Sequence, residues 1–150
     1  MATFSLKQVY DTTPDRLFAL LVNPVRMLEW TPPEFGLTWV EQPETLSLGT
    51  VFAYQARRGG LSVRLVLEVM ALEPPRRFAE RQQRGPFRQW ERQWSLREHA
   101  GQTELEETIC VDPPGGLLGQ VLTLTQIEAD LQTGWQYREQ RLRACLGQHS

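Results

Sequence analysis

Residues 88–96 read Arg88-Gln89-Trp90-Glu91-Arg92-Gln93-Trp94-Ser95-Leu96. In an extended strand successive side chains point to opposite faces, so Trp90, Arg92, Trp94 and Leu96 share one face. A plain core face carries no arginine, and a solvated face does not carry two tryptophans. An apolar wall with one fixed charge is what a small-molecule cavity needs. The segment therefore predicts a strand whose inner face borders a ligand-sized space.

The neighbouring segments supply partners. His99-Ala100-Gly101-Gln102 is a turn into a second strand, Thr103–Val111. Leu105, Glu107, Ile109 and Val111 share one of its faces; Glu104, Glu106, Thr108 and Cys110 share the other. Pairing Leu96 with Leu105 sets Trp94 opposite Glu107 and Arg92 diagonal to it, about 7–8 Å apart at the backbone and within reach of long side chains. Upstream, Val51–Arg57 and Leu61–Leu72 flank Gly59-Gly60, a two-residue hairpin signal. Pairing Arg58 with Leu61 there aligns Phe52 with Leu67, Tyr54 with Leu65 and Ala56 with Val63 on one face. Gln55 then meets Arg64, and Val51 meets Glu68, on the other, so both strands agree in polarity. Arg77–Gln83, between Pro74-Pro75 and Gly85-Pro86, reads as a polar strand. Phe4–Tyr10 and Leu37–Glu41 complete the set.

Helices bracket this run. Thr13 can cap a helix that Pro14 and Asp15 open, with Leu17, Phe18, Leu20 and Leu21 to bury. Asn23-Pro24 breaks it, and a second helical piece, Val25–Trp30, precedes Thr31-Pro32-Pro33. After Asp112-Pro113-Pro114-Gly115-Gly116 no proline occurs from Leu117 to about Leu146. Leu117, Val121, Leu124, Ile127, Leu131, Trp135 and Leu142 recur there at helical spacing, and Arg138 lies on the same stripe. Thirty residues of helix would run about 45 Å, enough to cross a sheet. The expected architecture is α+β: a curved antiparallel sheet gripping one long C-terminal helix, with two short helices after strand one.

Bulk properties narrow the function. At 150 residues the chain has the length of one domain, 1–150, and buries about 68–70% of its unfolded surface without staples. A net charge of −2 gives no field toward nucleic acid or anionic membrane. Lys7 is the only lysine, which reads as codon bias of a GC-rich genome. No apolar run approaches the ~20 residues of a membrane span, and the N-terminus has no signal-peptide pattern. Cys110 and Cys145 form no C-x-x-C and no disulfide framework, so a reduced cytoplasmic protein is expected. His99 sits in a turn and His149 in the tail, with no ligand spacing to the cysteines, so no metal is expected. No cofactor is implied: Gly115-Gly116-Leu117-Leu118-Gly119 lacks the G-x-G-x-x-G and P-loop patterns. Arg76, Arg77, Arg81, Arg84 and Arg88 alternate with Glu73, Glu80 and Glu91 and read as a solvated sheet edge rather than an RNA surface.

Several landmarks, in this order, make the chain resemble the START-like (SRPBCC) superfamily. They are Thr13-Pro14-Asp15-Arg16-Leu17-Phe18, Glu29-Trp30-Thr31-Pro32-Pro33, Gly85-Pro86-Phe87 with Trp90, Gly101-Gln102-Thr103, Pro114-Gly115-Gly116-Leu117-Leu118-Gly119 and Tyr137-Arg138. Within the superfamily it is most similar to small bacterial ligand-binding or polyketide-cyclase-like proteins. The resemblance spans nearly the whole chain and implies the helix-grip fold with a hydrophobic pocket between sheet and helix. The chain departs from the expected Trp-x-His-x-His-x-Phe pattern, having Trp90, Arg92, Trp94 and Leu96 there. It also has Glu107 where an aspartate is expected.

The candidate site residues follow from these faces. Tyr54, Leu65, Trp90, Trp94 and Trp135 would give apolar contact, and Arg92, Glu107 and Arg138 would orient a polar group. Arg92 with Glu107 reads equally as a ligand anchor or as a buried structural ion pair, since buried charges need partners either way. Trp90 and Trp135 read first as core packing. Trp30, Phe35 and Trp39 fall where the pocket mouth should be and serve a lid or a homodimer surface. Glu104 and Glu106 point to solvent. Three functions stay open: non-catalytic binding of a small hydrophobic or aromatic molecule, a polyketide cyclase or dehydratase using the same pocket, and a protein-interaction module with a filled core. The first is preferred, with no catalytic residue assigned.

Overall fold

The computed structural model describes residues 1–147, so His149 lies outside the described residues. Seven strands make one antiparallel sheet: β1 (Ala2–Tyr10), β2 (Leu37–Glu41), β3 (Val51–Arg58), β4 (Leu61–Glu73), β5 (Arg77–Arg84), β6 (Gln89–His99) and β7 (Gln102–Asp112). Their order is β1-β7-β6-β5-β4-β3-β2. The chain leaves one edge at Tyr10, crosses through helical segments and returns at the opposite edge as β2. From there each strand pairs with the next, as hairpin connections allow.

Local pattern set the registers. Arg58 pairs with Leu61, Phe52 with Leu67 and Tyr54 with Leu65, as the Gly59-Gly60 turn predicts. Leu96 pairs with Leu105, Trp94 with Glu107, and Arg92 with Ile109, one step diagonal to Glu107. The β4–β5 pairing differs from a simple hairpin: its register shifts twice, between Val66 and Leu67 and between Val69 and Ala71. Such bulges bend a sheet and raise its twist.

Helix α1 (Pro14–Val22) begins as expected, with the Thr13 hydroxyl accepting from the Arg16 N–H at 3.3 Å. It buries Leu17, Phe18 and Leu21. The second piece is shorter than Val25–Trp30: a 3-10 turn spans Met27–Trp30, and another spans Pro33–Phe35. Asn23 accounts for the difference, because its side-chain oxygen takes the Val25 N–H and its carbonyl takes the Arg26 N–H, making a turn there. Gly36 then reverses the chain into β2 at φ 62°, and a Cβ there would collide with the Arg57 carbonyl oxygen.

The C-terminal helix is not continuous. Helix α2 (Leu118–Val121) stops at Leu122, and α3 (Leu124–Cys145) restarts after Thr123, whose hydroxyl accepts from the Gln126 N–H at 3.2 Å. A capping threonine supplies a start where periodicity alone shows none. As a result Leu117 and Val121, on the expected buried stripe, are exposed. The 22 residues of α3 run about 33 Å and bury Ile127, Trp135, Arg138 and Leu142 on the sheet. Its C-terminal half is tied to β1. Gln8 donates to Glu139 at 2.6 Å, and Arg143 donates to the Val9 carbonyl at 2.9 Å while lying over the Tyr10 ring. Among the described residues no helix is long and apolar enough to cross a membrane.

Candidate functional site

Between the concave sheet face and the N-terminal half of α3 lies a cavity of about 330 Å³, within the range of small-molecule sites. Leu65, Leu67 and Val63 from β4, Trp90 and Trp94 from β6, and Ile127 and Leu131 from α3 give it apolar walls. Tyr54, Glu80, Arg92 and Arg138 form its polar patch.

Behind that patch sits a buried charge network. Glu107 is fully buried. Its Oε1 accepts from Trp94 Nε1 at 2.5 Å and from Arg138 Nη1 at 2.6 Å; its Oε2 accepts from Trp135 Nε1 at 2.9 Å. Arg92 Nε lies 3.3 Å from the same Oε2. Burial alone would push the Glu107 carboxyl up, but Arg138, Arg92 and the Trp135 donor together hold it below the usual carboxylate value. Oε1 takes two hydrogen bonds and Oε2 takes one with the Arg92 cation beside it, so Glu107 is engaged by structural donors rather than left open for a proton transfer. It does not line the cavity, although the strand pattern groups it with the ligand contacts.

Glu80 is the residue that sequence reading misplaced. The arginine-rich run around it suggests a solvated edge, whereas β5 is an interior strand and Glu80 is 4% exposed. Its Oε1 accepts from Arg92 Nη1 at 3.2 Å, and its Oε2 is buried without a hydrogen-bond partner among the described residues. Burial pushes this carboxyl above its usual value; Arg92 opposes the shift and the nearby Glu107 charge adds to it. Phe78 and Glu80 alternate onto the Trp94–Arg92 face of β6, and that two-residue spacing was the available signal. Burial opposes ionisation of Arg92, but Glu107 and Glu80 keep it charged.

The remaining candidates divide. Tyr54 and Leu65 line the cavity, and no described residue hydrogen-bonds the Tyr54 hydroxyl, whose ionisation burial pushes far up. Trp90 stacks on Phe87 at 5.1 Å and still lines the space. Trp135 lines it while donating to Glu107. Trp30 is buried, donates to the Leu20 carbonyl at 3.0 Å and faces the cavity. Trp39 does not line it: it packs on Tyr54 and Phe52, with centroids 4.7 and 6.2 Å away. Phe35, Arg58 and Asp130 line the cavity as well. Arg58 pairs with Asp130 of α3 at 2.7 Å and lies 4.9 Å over the Phe35 ring. Neither charged residue stood out in sequence, because their pairing spans hairpin and helix. Among the described residues no His, Cys, Asp and Glu cluster could hold a metal ion.

Solved structures share this architecture. A protein from Chromobacterium violaceum superposes with a TM-score of 0.73 at 17% identity, covering 95% of both chains. A Rhizobium loti protein gives 0.71 at 19% identity, covering 93% of this chain and 96% of that one. The major latex-like protein 151 of Panax ginseng gives 0.64 at 12%, covering 91% and 93%. At these identities the likeness concerns the fold. No curated protein matches the chain in sequence. The profile of the family described as polyketide cyclase / dehydrase and lipid transport matches residues 1–142. With the helix-grip sheet, the cavity under α3 and a match over nearly the whole length, the chain belongs to this polyketide cyclase / dehydrase and lipid transport family.

Proposed function

We propose that the protein binds a small, mainly apolar molecule in this cavity without transforming it. Trp90, Trp94, Tyr54 and Leu65 give contact, Arg92 orients one polar group, and Trp135 and Arg138 back the site from α3. The supporting observation is a mainly apolar-walled space of about 330 Å³ that Arg92, Glu80 and Tyr54 also line. A filled core, which the interaction-module reading needs, is not what surrounds this space. Trp30 and Phe35 turn toward the cavity and suit a cover better than a homodimer surface. The proposal places the protein in the cytoplasm, consistent with unpaired Cys110 and Cys145.

A panel of aromatic and aliphatic ligands, read by thermal unfolding, tests this. A ligand at a hundred times its Kd adds about 2.7 kcal/mol. Val63→Phe, which places a ring in the space, should abolish that shift while the protein stays folded. A panel that moves the midpoint of neither protein refutes the binding reading.

A second reading, a cyclase or dehydratase on a poly-ketone, is favoured by one observation: Glu80 offers a buried, unpartnered oxygen at the cavity. With Glu107 occupied, Glu80 and Tyr54 are the groups left to handle a proton. Turnover of a poly-ketone that disappears in Glu80→Gln would establish it.

A further inference from the structure

We propose that the ligand is an apolar carboxylic acid whose carboxylate seats on Arg92 and whose binding is coupled to proton uptake at Glu80. This rests on the cavity being a ligand site. Arg92 reaches Glu80 with Nη1 and lies beside Glu107 with Nε, while Nη2 has no partner among the described residues. The side chain keeps 27% of its surface exposed and lines the cavity. Its guanidinium carbon lies 5.5 Å from the Trp90 ring centroid and 5.8 Å from that of Trp94. A cation flanked by indoles is poorly hydrated, and a carboxylate is the oxygen ligand that its planar fork matches best.

The charges around it decide when such an anion can enter. Arg92 of β6 and Arg138 of α3 are positive, and Glu107 of β7 is held ionised by its donors. Glu80 of β5 faces Arg92, with Glu107 and the Tyr54 hydroxyl of β3 nearby. Asp130, which also lines the cavity, is paired with Arg58. With Glu80 ionised, two cations meet two anions, and a third carboxylate would enter unbalanced beside Glu80. With Glu80 protonated the cluster carries one net positive charge, which a ligand carboxylate neutralises. Like carboxylates sharing a site retain a proton on one of them, and the bare Oε2 marks Glu80 as the one. Burial already biases Glu80 toward the protonated form.

Calorimetric titration of the wild-type protein with 2-naphthoic, biphenyl-4-carboxylic and decanoic acids and their methyl esters tests this. The titrations are run from pH 6 to 8.5 in buffers of different ionisation enthalpy. The acids should bind with uptake of about one proton and weaken about tenfold per pH unit on the alkaline side of the Glu80 carboxyl; the esters should show no pH dependence. Glu80→Gln, checked for folding by circular dichroism, should flatten the acid profile, and Arg92→Gln should leave acid and ester equal. Acids and esters binding alike, without proton uptake, overturn the carboxylate inference and leave the cavity reading standing. Binding of neither class overturns both.

Discussion

Replacing Glu107 with Gln puts an amide group where donors from two elements, β6 and α3, converge. Trp94 and Arg138 meet one oxygen and Trp135 meets the other. Arg92 would keep Glu80, but Arg138 would not be so placed: its Nε and Nη2 already lack hydrogen-bond partners, and its ion pair is with Glu107. Breaking one side of a buried ion pair costs about 3–5 kcal/mol, against the roughly 5–15 kcal/mol that stabilises a domain. At about 2–4 °C per kcal/mol for this size, the melting point should fall by about 6–20 °C. Urea denaturation followed by tryptophan fluorescence measures the stability loss at pH 7 and again in acid. The Glu107 carboxyl ionises below its unfolded value of 4.5 when folded. Its stabilisation is therefore complete above that value and is lost as pH falls through the folded one. The gap between wild type and Glu107→Gln should be full at pH 7 and close in acid. Adding Arg138→Met should restore part of the loss, because the unpaired cation goes with it. A deficit under about 1 kcal/mol at pH 7, or one that persists unchanged in acid, would refute an ionised Glu107 as the centre of the network.

Two further substitutions probe the frame that holds the cavity. Gly36→Ala should destabilise by about 1–3 kcal/mol, because the backbone sits at φ 62° and the new methyl meets the Arg57 carbonyl; a neutral denaturation midpoint would show that this approach is not tight. Thr123→Ala should cost about 0.5–2 kcal/mol through loss of the α3 cap; an unchanged melting point would argue that α2 and α3 can merge into one helix.

Much of the fold was legible because its information is local. Gly59-Gly60 and the Ala100-Gly101 turn set their hairpin registers, and alternation then assigned faces residue by residue. Thus Trp94 opposite Glu107, with Arg92 beside it, could be read from residues 89–111 alone. Trp39 shows the limit: its place near the short helices suggested the pocket mouth, but it packs on Tyr54 and Phe52 instead of lining the space.

The amino-acid pattern by itself determined a curved antiparallel sheet, a covering amphipathic helix and an inner face carrying Arg92 among tryptophans. Period-two alternation, turn chemistry and helical spacing need no knowledge of distant residues. The Phe78–Glu80 spacing shows only that the two share a face; tertiary structure decided that this face lies inside, where β5 sets Phe78 opposite Trp94 and Glu80 opposite Arg92. It also decided that Glu107 is enclosed, as that depends on Trp135 and Arg138 arriving from a helix 28 and 31 residues further along the chain. The cavity itself is of this second kind. It is the volume enclosed between the inner sheet face, the Trp30–Phe35 segment and α3, surfaces far apart in the chain that no local pattern records together.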